Sequence, residues 1–246
     1  MSGPVRGRVV DRGWAGPQRR PTLPAMTVDE AMAELEALSD ESVRKRYVKG
    51  DAGKHVFGVK LGALRKVAKR IKQDHKLAMG LWKTKNVDAR LLAILTLDVN
   101  TLTSKQLDRM VRGAKFSQVA IWLSTYITKH HPEKEALREQ WMHVDHPMAA
   151  RAGWGLTAER VENDPKGLDL VALLDRIESE MGEAPEATQW TMNMCLGQIG
   201  IHHRKHRKRV LRIGEALGVY RDYPTSKGCT SPFVPLWVAE MVRRQG

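Results

Sequence analysis

From Met26 onward, apolar residues recur every three or four positions in one segment after another, the period of a helix that buries a single stripe. In TVDEAMAELEAL, Thr27 stands as N-cap, acids fill the first turn, and Ala, Met and Leu follow at helical spacing. The same pattern predicts helices over 28–39, 41–49, 60–73, 75–82, 86–97, 103–112, 115–129, 132–142, 146–162, 167–180, 184–199 and 204–217. The period-two alternation of a half-buried strand is absent throughout.

The connections are short and hold Gly, Pro, Asp or Asn, as in DVNTLTS, HHP, VDHP, ENDPKG and GEAPE, so each helix runs antiparallel to the one before it. Paired, the helices make hairpins over 60–82, 86–112, 115–142, 146–180 and 184–217, similar in pattern rather than in letters. One hairpin cannot bury its apolar stripe alone. Stacked hairpins can, and the result is an all-α superhelix with a concave face; a globular helical bundle is the competing architecture.

A single domain is expected over 26–246, with the Pro-containing tail from about 219 to 246 and its short helix closing the last repeat. Residues 1–25 combine four Pro, four Gly and five Arg with one Asp and show no period, which reads as a disordered basic extension. Met26 is itself a candidate start of the natural protein.

Charge changes the picture most. Forty-one Lys and Arg face 28 Asp and Glu, a net +13, and the first 25 residues account for only four of these surplus charges. A field of that sign attracts polyanions, so nucleic acid is the first partner to consider. No apolar run approaches membrane-spanning length, the first 25 residues have no secretory h-region, and the two cysteines form no paired motif. A reducing cytoplasm is the expected setting.

The positive charge is clustered. Lys60, Arg65, Lys66, Lys69, Arg70 and Lys72 lie within thirteen residues around the stripe of Val59, Leu64, Val67 and Ile71. The stretch IGIHHRKHRKRVLRIG carries Arg204, Lys205, Arg207, Lys208, Arg209 and Arg212 beside His202, His203 and His206. Like charges without interleaved acids repel, so Arg65, Lys69, Arg204, Lys205, Arg207 and Lys208 are candidate phosphate contacts, a solvated face being the alternative. The histidines make no convincing metal set, and no phosphate-binding Gly loop, nucleophile elbow or HExxH is present, so neither metal nor cofactor is expected. The stretch KFSQVAIWLSTYITKHHP, residues 115–132, holds Lys, His, hydroxyls and aromatics but no acid. The residues alone describe a basic helical-repeat protein.

Four segments add to this. FGVKLGALRKVAKRI, ITKHHPEKEALREQW, HPMAARAGWGL and TMNMCLGQIG occur in the order found in the DNA alkylation repair family, the AlkD-like glycosylases built from HEAT-like helical repeats, which the chain resembles from about Ser42 to Val242. The resemblance implies a curved solenoid whose basic concave face grips double-stranded DNA around a lesion. It also implies N-glycosylase activity on N3- and N7-alkylpurines, with a carboxylate stabilising the sugar cation beside aromatics.

Carried over by position, Arg151 falls on the family's cleft arginine and would contact a phosphate. The family's Trp and Asp fall on Gly113 and Ser117, so the carboxylate is missing, while a small shift offers Phe116 as an aromatic. The second aromatic falls on Met194, with Trp190 one turn earlier on the same face. Phe116 and Trp190 are thus the candidate lesion contacts. With Ser117 where the acid should be, a catalytically inactive nucleic-acid-binding protein or a protein-binding scaffold is the alternative expectation.

Overall fold

The computed structural model describes residues 26–245. The expected basic extension over 1–25 lies outside the described residues.

Thirteen helices follow one another among the described residues: α1 (Val28–Ala37), α2 (Glu41–Lys49), α3 (Leu61–Ile71), α4 (His75–Lys83), α5 (Val87–Thr96), α6 (Ser104–Gly113), α7 (Ser117–Tyr126), α8 (Lys134–Trp141), α9 (Pro147–Asn163), α10 (Leu170–Glu180), α11 (Glu186–His202), α12 (Arg207–Leu217) and α13 (Val234–Arg244). The local signals act as the sequence implies. Thr27 and Glu30 form a capping box at α1, Thr103 and Gln106 another at α6, and Pro147 opens α9. The segment expected as one helix over 115–129 breaks at Ile127 (φ −120°), and a 3-10 turn over Thr128–His130 carries the chain into the HHP turn. There His131 is buried: its Nδ1 accepts from the Glu133 backbone N–H at 3.1 Å, leaving Nε2–H to donate to the Leu102 carbonyl at 2.8 Å. That histidine is part of the scaffold.

Helices α3, α5, α7, α9 and α11 stack in one layer. A second layer backs them, with α4 against α5, α6 and α8 against α9, and α10 and α12 against α11. This is the α-α superhelix of stacked hairpins. Helix α9 serves both halves of the core: Met148, Ala149 and Leu156 join the cluster built from α1–α8, whereas Trp154, Ala158 and Val161 join the cluster of α10–α13. The helix α13 lies on α11 and α12, and it comes close because α11 has glycine at 197, where any Cβ would collide with the Trp237 ring.

The loop entering α3 is held by one acid. Asp88, fully buried in the first turn of α5, accepts the backbone N–H groups of Phe57 (2.7 Å), Gly58 (3.0 Å) and Val59 (2.8 Å). Gly58 sits at φ 84° against the Arg44 backbone, a position only glycine fills without strain. The FGV lead-in is therefore a fixed seat for the basic helix that follows.

Candidate nucleic-acid interface

A cleft of about 330 Å³ opens between α7, α9 and α11. Each helix contributes residues three or four apart: Ile121, Ser124 and Thr125 from α7; Met148, Arg151, Ala152 and Gly155 from α9; Trp190, Thr191 and Met194 from α11. Lys129, from the 3-10 turn after α7, also lines the cleft. The lining thus has two cations, Lys129 and Arg151, four hydroxyls and a largely apolar floor, and it has no carboxylate. Ile121 of this lining is an exposed apolar side chain, whereas Tyr126, also exposed on α7, is outside the lining and packs edge-on against Trp122 at 5.6 Å.

Arg151 is half-buried, and that burial lowers its pKa from the usual arginine value. Its one hydrogen bond among the described residues is donated by Nη1 to the Ala187 carbonyl at 3.3 Å. Beside it, close enough for each to perturb the other's ionisation, is Tyr220. Burial, with smaller pushes from Glu186 and Tyr223, raises the Tyr220 hydroxyl to about 12, so it stays a neutral donor. Its Oη is buried without a hydrogen-bond partner, and its backbone lies at φ 61°, a left-handed conformation that costs a side-chain-bearing residue about 1–2 kcal/mol. The ring is wedged against Trp190 (5.2 Å) and Tyr223 (5.6 Å). The N–H groups of Arg151 left over from its one bond to Ala187, at the cleft wall, suit an anion. Tyr220→Phe is expected to leave the melting temperature unchanged or slightly raised, since an unpaired buried hydroxyl is removed; thermal melting reads the effect.

The other expected residues are placed unevenly. Ser117 is the exposed first residue of α7, one turn above Ile121, and no side chain caps that helix. The nearest acids in sequence are engaged elsewhere: both Asp108 oxygens accept from Arg112 at 2.9 Å and Oδ1 also from Trp141, while Ser104 donates to Glu133. A side chain added at Gly113, the position onto which the resemblance carries an aromatic, would meet nothing within 4 Å. Phe116 does not line the cleft; its ring packs on Tyr47 of α2 at 5.2 Å. Trp190 does line it.

Arg65 lies over the Trp122 ring at 4.9 Å, which fixes an exposed guanidinium beside α7, and Lys69 is exposed one turn further along α3. The dense patch at 202–212 is partly neutralised. Arg207 donates to the Gly200 and Ile201 carbonyls (2.7 and 3.0 Å) and so closes the end of α11, and Arg209 is paired with Asp175 and Glu178 (2.5 and 2.7 Å). Arg204, Lys205 and Lys208 stay exposed. They lie beyond the C-terminal end of α11, twelve residues or roughly 18 Å along the helix from Trp190, so the patch is separate from the cleft. Lys129, Tyr220 and Tyr223 carried no signal of their own in the sequence; only the fold brings them to α9 and α11.

Comparison with known proteins agrees with the helical-repeat fold. The model of the DNA alkylation repair enzyme family matches residues 30–215. An uncharacterised protein of Listeria monocytogenes is 23% identical over 213 residues, covering 84% of this chain and 93% of its own, and one of Listeria innocua is 23% identical over 199 residues, covering 78% and 87%. A solved structure, described as from a new family of proteins related to the HEAT-like repeat DNA glycosylases with affinity for branched DNA structures, matches with a TM-score of 0.70 at 25% identity, covering 89% of this chain and 95% of that one.

Proposed function

The chain belongs to the DNA alkylation repair enzyme family, and we propose that within it the protein holds branched or otherwise distorted DNA through its phosphates without excising a base. The observation that carries this reading is the cleft lining: Arg151 and Lys129 are present and no carboxylate is. Hydrolysis of a glycosidic bond builds positive charge on the sugar, and a carboxylate at that point stabilises it; loss of such a group costs a factor of about 10²–10³. Cations in its place raise the barrier further. The acids further along the same α9 stripe, Glu159 and Glu162, lie two and three turns past Arg151; Glu159 is drawn to Lys129 (3.7 Å) and Lys134 (4.0 Å), and Glu162 accepts from the Gln198 amide at 3.1 Å. The same cations suit phosphate oxygens.

Branched DNA is favoured over continuous duplex by the apolar part of the site. A closed duplex shows only phosphates and groove edges, whereas a branch point exposes the face of a base pair, which the apolar lining with exposed Ile121 can cover. The affinity of the structural neighbour for branched DNA supports the same reading.

Alkylpurine excision is the competing function, and one set of measurements separates the two. A four-way junction is expected to bind at least about tenfold more tightly than a linear duplex of equal length, with log K falling against log salt at a slope steeper than about −3. Methylated duplex with excess protein is expected to release no alkylpurine above the spontaneous rate. Release above that rate overturns the proposal, and so does equal affinity for junction and duplex.

A further inference from the structure

Beside the cleft, and sharing Trp190 and Met194 with it, is a second cavity of about 400 Å³, between α11, the loop before α13 and the start of that helix. We propose that it receives an unpaired nucleobase from the strand held in the cleft, an inference that rests on the DNA-binding reading above.

The chemistry of the walls is the argument. Aromatic faces come from Trp190, Tyr223 and Trp237, with Trp190 and Tyr223 tilted at 49° and 5.8 Å apart. Between them stand hydroxyls, among them Ser226 and Thr230, and the amide of Asn193. Asn193 is 2% exposed, and its Nδ2 donates to the Pro232 carbonyl at 2.9 Å. That bond settles the orientation of the amide and leaves its carbonyl oxygen without a hydrogen bond among the described residues, an acceptor on the cavity wall. No residue of the lining carries a formal charge at neutral pH.

A neutral, aromatic-walled cavity with hydrogen-bonding edges suits a flat, uncharged, hydrogen-bonding solute. A phosphate has no counter-charge here and finds one next door, at Arg151. The two halves of a nucleotide are therefore matched by adjacent parts of α11: Arg151 bonds to the Ala187 carbonyl, and Trp190 begins the second cavity one turn later, roughly 5 Å along the axis. Tyr223 is 45% exposed, so the cavity is open to an arriving base.

The test uses the full chain and two duplexes that differ by one extrahelical adenine, with 2-aminopurine at that position in a parallel experiment. The protein is expected to bind the bulged duplex about tenfold more tightly than the paired one, with quenching of the 2-aminopurine signal. Tyr223 lines this cavity and not the cleft, so Tyr223→Ala is expected to lose both the preference for the bulged duplex and the quenching; Tyr223→Phe, which keeps the stacking face, should retain both. Equal binding of bulged and paired duplex by the parent protein overturns this proposal and leaves the DNA-binding reading standing. Full preference in Tyr223→Ala does the same. Failure to bind either duplex or a junction overturns both.

Discussion

Asp88→Ala is expected to lower the free energy of unfolding by about 3–5 kcal/mol, the cost of leaving three buried N–H donors unsatisfied at roughly 1–3 kcal/mol each with partial relaxation. The carboxylate is fully buried and is the acceptor for Phe57, Gly58 and Val59 together. Water is poorly placed to substitute, because Val59 is itself fully buried and Val56 nearly so. Against a total of about 5–15 kcal/mol for a typical domain, this is a large share. Asp88→Asn is expected to fall between parent and Ala: its one carbonyl oxygen can serve Phe57 and Gly58, but its NH₂ then faces the Val59 N–H. Denaturant unfolding followed by circular dichroism reads all three proteins. A loss under about 1 kcal/mol in the Ala variant would show that the loop re-pairs its donors elsewhere. The effect reaches the interface, because this loop seats α3 and with it Arg65 and Lys69.

The helix pattern was legible because every hairpin repeats the same local problem, an apolar stripe to bury and two ends to cap. All twelve helices read from periodicity are present, and the main internal departure, the break at Ile127, precedes the buried His131 that ties the turn to Leu102. The absence of any acid from residues 115–132 was legible too, and the cleft that this segment helps to line has no carboxylate in its lining. What periodicity could not reveal is which charges are free. Arg209 looks like the centre of a basic patch, but its partners Asp175 and Glu178 lie more than thirty residues away on α10. Arg207 is likewise engaged by the end of its neighbouring helix. Asp88 belongs to no motif; its role follows from a loop thirty residues earlier. The aromatic wall of Tyr220 and Tyr223 comes from a tail whose composition suggested only a cap, and Phe116, the nearest aromatic to the family's position, packs on Tyr47 of α2.

Arg151→Met is expected to move stability and binding in opposite directions, and this separates a binding arginine from a structural one. A guanidinium held half-buried with a single long hydrogen bond and no acid beside it is a cost to the fold, which its burial-lowered pKa reflects. Methionine keeps the length and apolar contact of the stem and removes the charge, so unfolding free energy is expected to be unchanged or to rise by on the order of 1 kcal/mol. DNA affinity is expected to fall roughly ten- to hundredfold, the loss of a charge-assisted phosphate contact worth about 1.5–3 kcal/mol, and the salt slope to flatten by about one unit. Arg151→Lys should restore the slope but only part of the affinity, since an ammonium cannot make the two-pronged contact of a guanidinium. If Arg151 served only to brace α9 against α11 through the Ala187 carbonyl, the Met variant would instead melt at lower temperature and bind DNA with the parent's salt dependence. The pairing of higher stability with weaker, less salt-sensitive binding is therefore the signature of a charge kept in the cleft for an anion that arrives from outside the protein.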